Sequence, residues 1–331
     1  MRFSSSLLKR MGLTVLFTVT CTILLQAGYH AVRNKKPGKD LQVEIFSDKR
    51  PGDSVSFTLP FSRAGNLILV KGRADTTEGN FILDTGCPYL VLNMTYFRSY
   101  TVHGQLEGRG SVSTGEFTAM QTQVRDFSFG AAGYTRLTAD LANLGHIENS
   151  RGVKILGLIG MQMLEGFEMI IDYENNLIHM HRIHRKQASV YRHDMLSDTS
   201  AYYTVPIQIT DNRIMVHTTL AGKKLKLIID SGAETNLIDS RLPDRVFEKI
   251  AITGRTMLSG VGSSRVEVLT GDLSGLVIGN RNLDNLPVLI TNLEKTCFSY
   301  GGCVDGVLGF DFLSLKKIGF NFVTNKMYIW K

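Results

Sequence analysis

The sequence has no zinc-finger spacing, no Walker loop and no cassette of stacking aromatics, so it offers no handle for a nucleic acid. Proline is scarce at 7 residues, whereas glycine reaches 32 and sits in short clusters between apolar runs. That contrast favours many short strands joined by tight turns. Only 4 cysteines are present. Cys21 lies near the N-terminus, Cys297 and Cys303 flank the short loop CFSYGGC, and Cys87 has no obvious partner. In an exported chain Cys297 and Cys303 could form a disulfide; two partly buried thiols are the other reading. At 331 residues, 43 % hydrophobic and 20 % charged, the chain is long enough for two domains with a core each. The net charge of +7 gathers at the N-terminus and around residues 179–193 rather than along one helix. It fits an anionic neighbourhood such as a membrane surface or cell wall, and equally ordinary solubility.

The first 36 residues read apart from the rest. Arg2, Lys9 and Arg10 precede an uncharged run, Met11–Val32, and Arg33, Lys35 and Lys36 follow it. Its apolar core, GLTVLFTVTCTILLQAG, is at the lower limit for a bilayer span and long for a signal-peptide core, so a cleaved signal and an uncleaved anchor both fit. Val19 and Thr20 stand before Cys21, without the small residue usual before a lipidated cysteine. Either reading puts the remainder outside the cytoplasm, in the periplasm, secreted, or tethered to a membrane. Residues 37–55 then serve as a stalk or a short pro-segment.

Beyond that point the chain repeats itself. Pro60, Asn66 and Asp84 recur as Pro206, Asn212 and Asp230, each 146 residues later. FSFG at 127–130 answers LVIG at 276–279, LIGMQML at 158–164 answers VLGFDFL at 307–313, and IIDYENNLIHM answers GFNFVTNKMYI, all offset by 149. Each copy is a series of short apolar runs punctuated by Gly, Asn and Asp, which predicts strands. Asn-centred turns close the last run of each copy and suit hairpins. Only LIGMQML, VLGFDFL and LPDRVFEKI look briefly helical. The expected organisation is an N-terminal lobe over 56–182, a basic linker over 183–200 with its polar character already beginning at His179, and a C-terminal lobe over 201–331.

Each copy carries an aliphatic pair, then Asp, then Thr or Ser, then Gly: ILDTG at 82–86 and IIDSG at 228–232. One such tripeptide is weak evidence; two at equivalent places of a duplication, followed 76 and 79 residues on by LIG and VLG, are strong. These residues resemble the aspartic protease superfamily, and within it the retropepsin-like branch, as two fused lobes in one chain. The likeness covers roughly 55–331. DSGAETNLID is close to the usual retropepsin form, whereas DTGCPYLVLN departs from it at Cys87 and Pro88. The resemblance implies a mainly β fold of two barrel lobes related by a pseudo-two-fold axis, with a cleft between them. It implies that Asp84 and Asp230 are catalytic, and that Thr85 and Ser231 hydrogen-bond across the lobe interface. It also implies that Gly160 and Gly309 lie in strands that pass under the active-site loops.

The residue types suit that chemistry. Two carboxyl groups about 3 Å apart cannot both ionise, so they share a proton. The charged one acts as base on a water, and the protonated one polarises the scissile carbonyl and later serves the leaving amine. Gly86 and Gly232 allow the tight loop and the approach of amides to the carboxylates. Two further stretches contain Gly-x-Gly-Ser: Gly108, Gly110 and Ser111, then Gly260, Gly262 and Ser263. They are expected to be flaps over the substrate. Neither carries the Tyr of a pepsin flap, which favours the retropepsin-like form.

The expected activity is that of an aspartic endopeptidase needing no cofactor and no metal. Its partners would be a peptide or protein substrate and, if the N-terminal segment stays, a membrane, with the chain acting as a monomer. His179, His181, His184 and His193 are irregularly spaced among Arg and Lys and read as a solvated linker, not as a metal site. Asn93-Met94-Thr95 is a glycosylation sequon. The competing readings are an inactive peptide-binding module of the same fold and a structural domain at the envelope. The paired acids weigh against the first and the two flap-like loops against the second.

Overall fold

The computed structural model describes residues 56–109, 116–183, 193–259, 265–294 and 303–331. It also describes two short strand pieces, Phe17–Thr18 against Leu258–Ser259 and Val43–Ile45 against Ala132–Tyr134. The rest of the expected leader and stalk lies outside the described residues. No helix among the described residues is long and apolar enough to cross a membrane.

The duplication in sequence is a duplication in space. Leu67–Ala74 and Thr77–Leu83 form a hairpin, and Gly157–Ile159 lies parallel to the second strand. In the second copy Arg213–Leu220 and Lys223–Ile229 form the hairpin, and Gly306–Leu308 lies parallel to its second strand. Val91–Asn93 and Asn236–Asp239 each run antiparallel to these short strands. The first strands of the two hairpins share one burial pattern, four buried residues and then alternation, which follows from one end being enclosed on both faces and the other on one.

The two cores are built from different side chains at the same positions. Phe81, Phe127, Phe129 and Tyr134 fill the first lobe, with Phe81 and Phe127 edge-on at 5.3 Å between centroids. Leu227, Leu276, Ile278 and Leu283 take the corresponding places in the second. Each such side chain contributes about 1.5–3 kcal/mol through burial, so aromatic and aliphatic fillings both hold the barrel.

A six-stranded sheet joins the lobes, each giving three strands: 56–60, 177–182 and 167–172, then 318–321, 326–330 and 202–206. Its middle is the antiparallel pairing of Phe167–Asp172 with Ile318–Asn321. The Asn-centred hairpins are present, with Asn176 and Asn325 at φ of 53° and 55°. His179 and His181 lie within the strand Leu177–Arg182, not in a solvated linker, and hydrogen-bond with Thr58 and Ser56 of the neighbouring strand. The linker begins only afterwards, and His184 lies outside the described residues. On the far side Leu196 is buried with Ile170, Tyr202 and Tyr328, so the linker's end is packed against the sheet. A helix not anticipated from the sequence spans Gly145–Arg151, where the apolar residues are too few to show a helical period. The sequon is corrected as well. Asn93 is fully buried and its amide donates to Glu148 and to the Ile155 carbonyl, so it is not a glycan acceptor in the fold.

One buried acid breaks the lobe symmetry. Asp140, on the strand Ala132–Ala142, sits in register between Val91 and Gln121 where the second lobe has Leu289. It is 2 % exposed, and burial pushes its carboxyl up to about 7. The fold therefore favours the neutral form. Its ionisation costs nothing below about pH 4, costs more as pH rises, and reaches its full penalty above about pH 7. Asp140→Asn should consequently be more stable than the parent at pH 8 by a margin on the order of a few kcal/mol, with little of that gain at pH 4. Denaturant titrations at the two pH values read the difference directly, and an equal effect at both would refute the assignment.

Candidate active site

Each Asp-Thr/Ser-Gly loop leaves the buried end of a strand, whose last three residues are all buried. Asp84 follows Leu83 and Asp230 follows Ile229, and their backbone N–H groups donate to the carbonyls of Ile159 and Leu308 at 3.0 Å in both lobes. The LIG and VLG strands thus hold the loops from the side. Their last residues pass directly beneath. A Cβ on Gly160 would stand 2.2 Å from the Tyr89 carbonyl oxygen, and one on Gly309 would stand 2.4 Å from that of Ala233. Only glycine fits under either loop.

Thr85 and Ser231 exchange hydrogen bonds between the lobes. The Thr85 N–H donates to Ser231 Oγ at 3.0 Å and the Ser231 N–H to Thr85 Oγ1 at 2.9 Å. Each hydroxyl passes its own proton to a carbonyl of the opposite strand, Thr85 to Ile229 at 3.1 Å and Ser231 to Leu83 at 2.8 Å. All four bonds are buried, so each side chain both accepts from and donates to the other lobe.

The carboxyl groups converge on this lock. Asp84 Oδ1 accepts from the N–H groups of Gly86 and Cys87 at 3.0 and 3.1 Å. Asp230 Oδ1 accepts from Gly232 N–H at 2.8 Å. The Asp230 carboxyl also packs on Gly86 of the other lobe, where an added Cβ would fall 2.4 Å from its Cγ. Gly86 therefore touches both acids, donating to one and lying flat against the other. Asp84 and Asp230 are each fully buried.

Several interlobe contacts around the loops are made by residues outside the repeated Asp-Thr/Ser-Gly motifs. The Asn66 amide donates to the Glu234 carbonyl at 3.0 Å, and the Arg151 guanidinium pairs with the Glu234 carboxylate. Arg213, 2 % exposed, donates through Nε to the Gly86 carbonyl at 3.3 Å. Asn66 and Asn212 are part of the repeat, but Arg213 stands where the first copy has Leu67. That break in symmetry was the available signal.

Of the residues expected in flaps, Gly108 is on the strand Val102–Arg109, paired with Phe117. Gly110, Ser111, Gly260, Gly262 and Ser263 lie outside the described residues. The stems that lead to them are long antiparallel hairpins at equivalent places, Val102–Arg109 with Glu116–Phe129 and Ile250–Ser259 with Arg265–Leu273. Cys87 and Cys303 are each disulfide-bonded and no described cysteine is free, so Cys87 does have a partner; Cys297 lies outside the described residues. A cavity of about 480 Å³ lined by Asp75, Tyr100, Gln123, Arg125 and Arg136 includes neither acid of the motif. Its Tyr100 hydroxyl donates to Asp75, which serves the first lobe's surface.

Two homologous β lobes meeting at paired Asp-Thr/Ser-Gly loops define the two-lobed acid-protease fold. A family model described as aspartyl protease matches residues 70–163 and 216–312, more than half of the chain and one segment per acid, and the chain belongs to that family. Among solved structures, the aspartic proteinase from Irpex lacteus matches with a TM-score of 0.50 and 11 % identity, over 84 % of this chain and 97 % of that one. Basic 7S globulin from soybean matches with a TM-score of 0.46 and 10 % identity, over 85 % of this chain and 95 % of that one. No curated protein matches it in sequence.

The interlobe lock should be measurable. Ser231→Ala removes the acceptor for Thr85 N–H and the donor to Leu83, leaving two buried groups unpaired at about 1–3 kcal/mol each. Urea unfolding should show a loss of roughly 2–5 kcal/mol. A loss under about 0.5 kcal/mol, the size of an ordinary surface change, would mean that the lobes are held by other means.

Proposed function

We propose that this protein is an aspartic endopeptidase whose catalytic residues are Asp84 and Asp230. The observation that carries this reading is the convergence of both carboxyl groups on Gly86, inside a reciprocal hydrogen-bond lock. A scaffold or a passive binder has no need for two buried acids held by amides at the lobe junction. The pair shares one proton, the ionised member takes a proton from a bound water, and the protonated member polarises the scissile carbonyl. The resulting amine leaves with a proton from the same pair. Thr85 and Ser231 keep the loops rigid, so no reorganisation is needed as charge develops.

Two flaps closing over an extended peptide, a Cys297–Cys303 bridge, action as a monomer, and a location outside the cytoplasm complete the proposal. The charge pattern of residues 1–36 supports the last of these. The inactive peptide-binding module of the same fold is the alternative, and turnover of a quenched peptide library separates the two. Asp84→Asn and Asp230→Asn should each reduce turnover by at least about 10³-fold while leaving the melting temperature near that of the parent, since removal of one acid of the pair removes general acid–base catalysis. Near-parental turnover in either variant would end the shared-proton mechanism.

The pH optimum follows from the residue after each Asp-Thr/Ser-Gly. A hydroxyl there could donate to the catalytic carboxylate and favour its charged form, which lowers the first pKa of the pair. The residues are Cys87 and Ala233, both fully buried and neither with a hydroxyl. The acidic limb of the rate profile should lie above that of a pepsin-type pair, which gives up its first proton in strong acid. The maximum is expected between weakly acidic and near-neutral pH, and an optimum near pH 2–3 would contradict this. Ala233→Ser should shift the acidic limb downward.

A further inference from the structure

Asp140 is a buried acid that the shared-proton chemistry does not use. Along the strand Ala132–Ala142, Ala139 and Leu141 face the barrel core, so Asp140 and Ala142 point to the opposite side. There Ala142 shares a buried cluster with Cys87 and Val91, and Val91 is the parallel partner of Asp140. On its other flank Asp140 pairs with Gln121, which belongs to the long hairpin of Val102–Arg109 with Glu116–Phe129. The acid therefore stands between the Asp84 loop and that hairpin. The second lobe shows what such a position borders. Its counterpart there, Leu289, is clustered with Ala233 of the Asp230 loop and with Leu258 and Val268 of the equivalent hairpin. The same stretch of wall is thus apolar in one lobe and acidic in the other. The acid does nothing to hold its lobe together. Asp140 Oδ2 is buried with no hydrogen-bond partner among the described residues. Burial raises its carboxyl to about 7. A carboxyl in that state lowers stability until a cation arrives, because a positive neighbour favours the charged form.

Resting on the proposed peptidase activity, we infer that Asp140 is a specificity-determining residue, which receives the ammonium or guanidinium group of a substrate Lys or Arg on the first lobe's side of the cleft. At 2 % exposure the carboxyl lies below the wall, deep enough that a long side chain reaches it and a short one does not. The apolar stem of Lys or Arg passes over Val91 and Ala142 while its charged head meets the acid. A Leu in the same place leaves the carboxyl unpaired under an apolar cover, which is the arrangement a site discriminates against most strongly. The matching position of the second lobe, walled by Leu289 and Leu258, takes an apolar side chain. Since the lobes are related across the acid pair, the substrate carries a basic residue on one side of the scissile bond and an apolar one on the other.

The test compares peptides rather than rates alone. Quenched octapeptides of Ala and Ser carry Lys, Arg, Leu or Glu in turn at each of the four central positions. At one of these the parent's kcat/KM should favour Lys and Arg over Leu by about tenfold or more. In Asp140→Leu, which supplies the second lobe's residue, that ratio should fall to about one or below. Asp140→Asn keeps the shape without the charge and should lose the preference too; it decides the matter if Asp140→Leu does not fold. A merely structural acid would change all the peptides alike. The inference is overturned if the parent shows no preference for Lys and Arg at any position, or if Asp140→Asn retains it. Should the parent cleave none of the peptides, the proposed activity fails by itself, and binding of the same peptides, read by fluorescence polarisation, takes over. Tighter binding of Lys than of Leu peptides in the parent but not in Asp140→Asn then supports the inference, and equal or undetectable binding overturns it.

Discussion

Everything functional in this molecule depends on four buried hydrogen bonds between Thr85 and Ser231 and the strands that precede them. They are the point where two separately folded lobes become one site. Each bond joins a hydroxyl of one lobe to the backbone of the other, so neither loop can shift without leaving buried polar groups unpaired. That penalty converts two surface-like turns after β-strands into a fixed platform. The glycines are the other half of the constraint. Gly160 and Gly309 admit the strands that brace the loops from below, and Gly86 admits the Asp230 carboxyl from across the junction. Side chains at any of these three places would separate the parts that the hydroxyls bring together.

The duplication explains why so much of this could be read from the chain. A repeat of 146 and then 149 residues carries its own control. A motif seen once is a turn, whereas a motif seen at both ends of a constant offset is an element of architecture. The acids, their hydroxyl neighbours and the strand-end glycines were all legible for that reason, and the structure brings them together. What stayed hidden was whatever one lobe has and the other lacks. Arg213, Asp140 and the Arg151–Glu234 pair have no counterpart in the other copy's sequence to draw attention to them. Local composition misled at His179 and His181, where basic and polar residues suggested an exposed linker. In the fold they lie on a strand of the interlobe sheet, with Ser56 and Thr58 as partners. Asn93 misled in the same way, since a sequon is visible in sequence and its burial is not.

Symmetry and its breaking have separate physical uses here. The parts that must match are those that build the junction: equivalent strands, equivalent glycines, reciprocal hydroxyls. Filling the cores is less demanding. Phe81, Phe127 and Tyr134 in one lobe and Leu227, Leu276 and Leu283 in the other occupy the same places, because a barrel interior asks mainly for apolar volume at native density. Core residues could therefore diverge after duplication while the loops stayed alike.

In a fused chain each lobe can change its own sequence, so the two loops need not stay identical. The departures from the common pattern cluster on the first loop, at Cys87 and Pro88, and its carbonyl at Gly86 is where the second lobe's Arg213 makes contact. The hydroxyl lock fixes where the carboxyl groups are, and Arg213 adds a contact from the second lobe to the first loop.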